Sequence, residues 1–180
     1  MIYLDEILQG VKTVGITGHI RPDGDCVGST LGVYNYICDN MPQVDVDICL
    51  QPINDKFLFL RNSDKIKEKA DGNKIYDLFI VCDCAAFDRF EDFRECFEKA
   101  GKTVVFDHHI SGQEIGDMNM ISPKLSSCSE LIYEAMNPDK ISKSTAECLY
   151  LGIIHDTGVF KYQGVTAVSY THLTLPTNSL

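Results

Sequence analysis

The chain has 180 residues, 44% hydrophobic and 23% charged, the make-up of an ordinary folded domain, which excludes disordered, collagen-like and coiled-coil classes. A chain of this length buries roughly 70% of its unfolded surface, so a single hydrophobic core suffices without metal or disulfide support. Twenty-six acidic against sixteen basic residues leave a net charge of −10 with no Lys/Arg stripe, which excludes extended duplex nucleic acid as a partner, and apolar runs such as 78–82 are too short to span a membrane.

The opening Met1-Ile2-Tyr3-Leu4-Asp5-Glu6 carries acids where a signal peptide has a positive segment, so a cytoplasmic protein is expected. Short β-like runs then alternate with helical stretches, the pattern of an α/β fold with a parallel sheet and crossover helices. Strands are expected at 13–17, 44–50, 78–82, 103–106 and 119–121. Val27, Leu31, Tyr34 and Ile37 recur at helical spacing, as do Phe90, Phe93 and Phe97. Segments 55–60 and 63–69 read as short helices, and 129–136 and 142–154 as longer ones, with Ser142 and Ser144 placed as N-caps. The eight cysteines are scattered inside apolar segments, so in a reducing compartment they read as small buried hydrophobes. Cys82 and Cys84 are expected to face one side of a strand, with no second pair at zinc-site spacing.

All charged residues lie before Gln163, and the stretch from Val168 to Thr177 resembles translated sequencing-adapter DNA. Residues 163–180 are therefore expected to be a non-native tail, and His172 within it is given no role.

The densest polar segment is Gly18-His19-Ile20-Arg21-Pro22-Asp23-Gly24-Asp25-Cys26-Val27-Gly28-Ser29, directly after the first strand and before a helix, where open α/β sheets bind ligands. Its one imidazole and two carboxylates suit Mn²⁺, and also Mg²⁺, Fe²⁺ or Zn²⁺, better than Ca²⁺. Gly28 and Ser29 at the helix start are placed to offer backbone N–H groups to an anion. The same signal recurs: Asp83 follows the 78–82 strand, Asp107-His108-His109 follows the 103–106 strand, and Asp156 follows the apolar run that ends at Gly152-Ile153-Ile154-His155. These Asp and His residues gathered at one sheet edge would be a costly cluster of like charges without cations. One carboxylate bridging two cations makes this composition sensible, as in a two-metal hydrolase site.

Taken in order, H-x-x-P-D-x-D-x-x-G-S at 19–29, Asp83, Asp-His-His at 107–109 and Gly-Ile-Ile-His-Asp-Thr-Gly-Val-Phe-Lys at 152–161 resemble the four motifs of the DHH phosphoesterase superfamily. Within it the chain looks most like the bacterial hydrolases of short oligoribonucleotides that also dephosphorylate 3′-phosphoadenosine 5′-phosphate. The resemblance implies a three-layer sandwich around a mostly parallel five-stranded sheet over residues 1–162, with a second, substrate-binding domain absent from this chain. It implies that His19, Asp23 and Asp83 hold one Mn²⁺, and Asp25, Asp83, His108 and Asp156 a second, with Mg²⁺ as a substitute. Asp107 would orient His108 through a hydrogen bond, and His109 would donate a proton or hydrogen bond to the scissile phosphate. Arg21, Ser29 and Lys161 are weaker candidates for substrate contact. His155, beside Asp156, reads as a helix-end residue among apolar neighbours, with metal coordination as the lesser alternative, and Ser126, Ser127 and Ser129 as N-caps or a segment near the site.

The expected activity is therefore metal-dependent phosphoester hydrolysis on a short oligonucleotide or nucleotide, with a homodimer left open. A family II-type inorganic pyrophosphatase, a cyclic-dinucleotide phosphodiesterase and a metal-binding fragment without turnover are the competing readings.

Overall fold

The computed structural model describes residues 2–161, so the 163–180 tail lies outside the described residues. A short helix α1 (Leu4–Ile7) leads into strand β1 (Thr13–Thr17), helix α2 (Gly24–Asn40) and strand β2 (Asp45–Cys49). Strand β3 (Leu78–Cys82), helix α3 (Arg94–Lys99) and strands β4 (Thr103–Asp107) and β5 (Met118–Ile121) follow, and helices α4 (Cys128–Ala135) and α5 (Lys143–Asp156) complete the fold. The five strands run in the order β2-β1-β3-β4-β5, every pair parallel. In this order the connections leave β1 toward opposite edges, and the crevice between the carboxyl ends of β1 and β3 is where such sheets bind ligands.

The pleat sorts the core into two faces. Leu78, Ile80 and Cys82 of β3 pack with Val14, Ile16, Val104 and Phe106 against α1, α2, α4 and α5. Phe79 and Val81 point the other way, toward Phe90, Phe93 and Phe97. Helices thus cover one face and a thinner aromatic layer the other, giving three layers. A third cluster seats Val27, Leu31 and Cys148 under Ile48, Leu50, Phe57 and Leu60.

Several local expectations are corrected. The Phe90–Phe97 stretch is not one helix: two 3-10 turns, Phe87–Arg89 and Glu91–Phe93, precede α3. Phe90 (φ −138°, ψ 35°) and Phe93 (φ −119°, ψ 3°) break the helical path, yet both rings stay buried, with Phe90 and Phe97 5.5 Å apart edge to face. Only Asp55–Phe57 and Ser63–Lys65 are helical turns in the next two segments, because Ile66 turns extended and Lys67 bridges beside Cys49. Helix α5 runs to Asp156 instead of stopping at Ile154, so Asp156 sits in its last turn. Helix α1 is too short to show a period in the sequence, yet it buries Leu4 and Ile7. Cys82 and Cys84 fall on opposite faces of the sheet, since Asp83 between them takes a left-handed backbone (φ 58°). All eight cysteines are free, and burial pushes the Cys26, Cys82 and Cys128 thiols up, which keeps them inert.

Candidate active site

The carboxyl ends of β1, β3 and β4 lie side by side, and each releases a polar residue as soon as its ladder ends. Thr17 closes β1 and the chain turns through Gly18 to His19, whose Nδ1 lies 2.8 Å from the Ile20 carbonyl. Asp23 is the N-cap of α2, its Oδ1 accepting from the N–H groups of Asp25 and Cys26 at 3.0 and 3.1 Å. Asp83 follows β3, where its N–H donates to the Phe106 carbonyl at 2.8 Å. Asp107 is the last residue of β4, so the two imidazoles after it project from the same edge.

Asp25 is fully buried, and its carboxylate accepts the N–H groups of Cys128 (2.6 Å) and Ser129 (2.9 Å) at the start of α4. That helix terminus offers free donors and a favourable dipole, which fix the carboxylate 103 residues away in sequence. Ser127 caps the same helix by accepting from Glu130 N–H at 3.0 Å. Gly152 of α5 makes the assembly possible: a Cβ there would stand 2.0 Å from Ser129 Oγ and 2.6 Å from Asp25 Oδ1.

Asp83 lies between two imidazoles. Its Oδ2 is 3.4 Å from His19 Nε2, and its Oδ1 is 3.6 Å from His108 Nε2. His19 Nε2 is also 3.7 Å from Asp23, while His108 Nε2 is 3.1 Å from Asp156 and 3.9 Å from Asp25. Donors about 2.1 Å from one cation, at octahedral to tetrahedral angles, stand about 3.0 to 3.4 Å apart, which the 3.1 and 3.4 Å spacings meet and the 3.6 to 3.9 Å spacings exceed by a few tenths of an ångström. Donor atoms lying within 4.8 Å of one another gather in His19, Asp23 and Asp83, in Asp25, His108 and Asp156, and in Asp83, His108 and His109, so that Asp83 belongs to two of these groups. Asp83 Oδ1 and His108 Nε2 are moreover buried without a hydrogen-bond partner, which a fold tolerates at a site that takes an ion. The residues present fit a pair of divalent cations.

The protonation pattern shows how the cluster is held together by protons alone. Burial opposes charge on His19, but Asp23 and Asp83 outweigh it and raise the ring to about 10. His108 is raised in the same way to about 9 by Asp156, Asp25 and Asp83 against burial. Burial and the neighbouring carboxylates push Asp25 well up, and burial raises Asp83. Asp23, more open, is held below the usual carboxylate range by His19, against its partial burial.

The sequence profile described as DHH family, N-terminal domain, matches residues 13–153. The chain belongs to the DHH family. It is 31% identical over 166 residues, covering 91% of this chain and 51% of the relative, to the probable bifunctional oligoribonuclease and PAP phosphatase NrnA of Streptococcus mutans. It is 30% identical over 161 residues, covering 86% of this chain and 49% of the relative, to the bifunctional oligoribonuclease and PAP phosphatase NrnA of Bacillus subtilis. It thus spans about half the length of these curated relatives. An exopolyphosphatase-related protein of Bacteroides fragilis superposes with a TM-score of 0.83 at 24% identity, over 95% of this chain and 54% of that one. A putative family II inorganic pyrophosphatase of Methanococcus jannaschii gives 0.56 at 22% identity, over 88% and 53%. Both likenesses speak for the fold.

Several of the expected site residues are placed differently from the sequence expectation. Asp107 does not reach His108: its Oδ1 accepts from His109 Nδ1 at 2.7 Å and from His109 N–H at 3.2 Å, because the turn after β4 brings His109 back over it. Ser29 is fully buried inside α2, with its hydroxyl donating to the Cys26 carbonyl at 3.2 Å. Gly28 is equally internal, and a Cβ there would meet the Cys148 carbonyl of α5 at 2.5 Å. Arg21, with a left-handed backbone (φ 55°), and Lys161 are both exposed. His155 sits in the last turn of α5, as expected; its ring lies over Gly24, and it joins Asp23 and Asp156 in a further group of donors within 4.8 Å of one another. Arg89, which the sequence reading passed over, lines the pocket beside His109. Its only sequence signal is its place six residues after Asp83 in a segment without a strand pattern.

Proposed function

We propose that the chain is the metal-binding half of a phosphoesterase that uses two divalent cations, Mn²⁺ with Mg²⁺ as a substitute, to hydrolyse short oligoribonucleotides and 3′-phosphoadenosine 5′-phosphate. The carrying observation is Asp83, a buried carboxylate with one oxygen toward His19 and the other, unpartnered, toward His108. The substrate class is supported by the names of the relatives at 30 and 31% identity.

In this reading His19, Asp23 and Asp83 hold one ion, and Asp25, Asp83, His108 and Asp156 the other. Such ions acidify a water and neutralise charge on phosphoryl oxygens. The chain's own groups supply orientation and a proton. Asp25, locked by the start of α4, keeps its carboxylate aimed into the site. Asp107 holds His109 through Nδ1, which leaves Nε2 of this half-exposed ring free to reach the leaving oxygen. The same hydrogen bond raises the His109 pKa, so the ring can donate a proton near neutrality.

Residues 1–162 are then the catalytic domain of a cytoplasmic enzyme, and 163–180 a segment foreign to it. Among the described residues no helix is long and apolar enough to cross a membrane.

The test is thermal melting of the chain and of Asp83→Ala with and without Mn²⁺, with phosphate release from 3′-phosphoadenosine 5′-phosphate assayed on the same samples. A Mn²⁺-dependent rise in melting temperature in the parent alone, accompanied by turnover, is expected. Stabilisation without turnover marks a metal-binding fragment, release from pyrophosphate instead marks a pyrophosphatase, and no Mn²⁺ effect in the parent overturns the two-ion reading.

A further inference from the structure

Beside His109 lies a pocket of about 60 Å³, lined among others by Asp83, Arg89, Asp107, Ser111 and Gly112. A pocket of this size has room for a phosphate-sized group. Its walls are fixed from both sides. The Arg89 carbonyl accepts the Ile20 N–H at 2.6 Å, which pins the end of the Phe87–Arg89 turn to the loop carrying His19, Arg21 and Asp23. Gln113 N–H donates to the Ala85 carbonyl at 3.1 Å, and Gly112 N–H to the His109 carbonyl at 3.1 Å, so the turn after His109 is tied to the Arg89 segment.

The charge arrangement is unusual for so acidic a chain. Of the four arginines, Arg61 pairs with Asp39 at 2.8 Å and Arg94 with Glu98 at 2.7 Å. Arg21 and Arg89 make no salt bridge among the described residues, although carboxylates are the chain's commonest charged groups. These two arginines belong to the two segments joined by the Ile20–Arg89 backbone hydrogen bond, and Arg89 is among the residues lining the pocket. The pocket's own carboxylates are already engaged: Asp107 accepts from His109, and Asp83 faces His19 and His108.

We propose that Arg89 is a positioning residue that takes a phosphate group of a nucleoside monophosphate or of the scissile ester into the pocket beside His109, with the Ser111 hydroxyl as a second donor. A guanidinium presents parallel donors to two phosphate oxygens, which an ammonium does not. The inference rests on the two-ion reading above, because cations at Asp83 remove the repulsion that this carboxylate would otherwise exert on the incoming anion.

The experiment measures adenosine 5′-monophosphate binding to the Mn²⁺-loaded 180-residue chain by calorimetry, for the parent, Arg89→Gln, Arg89→Lys and, as a comparator away from the site, Arg61→Gln. The Mn²⁺-induced rise in melting temperature is recorded for each. Arg89→Gln is expected to weaken nucleotide binding about tenfold or more and Arg89→Lys by less, with the Mn²⁺ rise and the Arg61→Gln affinity unchanged. Equal affinity in the parent and Arg89→Gln, or no binding to a parent that does respond to Mn²⁺, overturns the proposal. Absence of the Mn²⁺ rise in the parent overturns the two-ion reading instead, so the two failures are distinct.

Discussion

Adjacent imidazoles at positions 108 and 109 meet different partners because only one of them is held at Nδ1 by Asp107. His108 Nε2 faces Asp25, Asp83 and Asp156, whereas His109 Nδ1 is held by Asp107 and its ring is 47% exposed. His108→Ala should therefore abolish the Mn²⁺-induced rise in melting temperature. His109→Ala and Asp107→Asn should keep it and lower kcat by about 10² to 10⁴. Loss of the Mn²⁺ response in Asp107→Asn would show that Asp107 supports a ligand after all. The residue types at 19, 23, 25, 83, 107–109 and 156 were legible in the sequence because each follows an apolar run that ends abruptly. What spacing could not convey was which imidazole Asp107 would meet: that depends on the sense of the turn after β4, closed by the Gly112 N–H to His109 carbonyl bond. Gly28 and Ser29 were expected at the start of the helix, but Asp23 is its cap, so Ser29 falls a full turn inside it.

At the level of elements the site depends on how closely α2 and α5 approach. Gly28 and Gly152 remove the side chains that would separate them, and Gly152 also leaves room for Ser129 and Asp25. Gly152→Ala gains roughly 1 kcal/mol of helix propensity, yet its Cβ would press on Ser129 Oγ and on a carboxylate locked by two backbone donors. Overpacking of this kind costs about 1–3 kcal/mol, so the variant should be less stable by urea denaturation and should bind Mn²⁺ more weakly. A more stable variant with intact Mn²⁺ binding would mean that Ser129 swings aside without disturbing Asp25. Elements whose apolar residues face one packed surface were read well from the sequence: β1 and β3 match residue for residue, and α4 and α5 within two. The errors fall where local turns compete with helix. Around Phe87 to Phe97 the three buried rings kept a helical interval although the backbone passes through two 3-10 turns before entering α3, since aromatic side chains are long enough to converge on one cluster from irregular positions.

For the whole molecule, pH should act in opposite directions on the metal-free and metal-loaded protein. In the metal-free chain His19 is raised to about 10 and His108 to about 9, and Asp25 and Asp83 also lie above their ordinary values. All four groups bind more protons folded than unfolded, so each contributes stability at low pH that is lost as pH rises. For the two histidines this contribution is complete below the ordinary imidazole value of 6.5 and fades as pH climbs through about 9 and about 10. Asp23, depressed instead, contributes its share above the ordinary carboxylate value and is already constant near neutrality. The metal-free protein should therefore soften steadily from pH 6.5 upward. Cation binding requires deprotonated imidazole and carboxylate, so the same protons compete with the ion, and its affinity rises as they leave. The gap between the two melting curves should consequently widen with pH, and titration with Mg²⁺ in buffers of different ionisation enthalpy should register proton release near neutrality. A gap that stays constant from pH 6.5 to 9, with no protons released, would mean that the ion does not bind at His19 and His108.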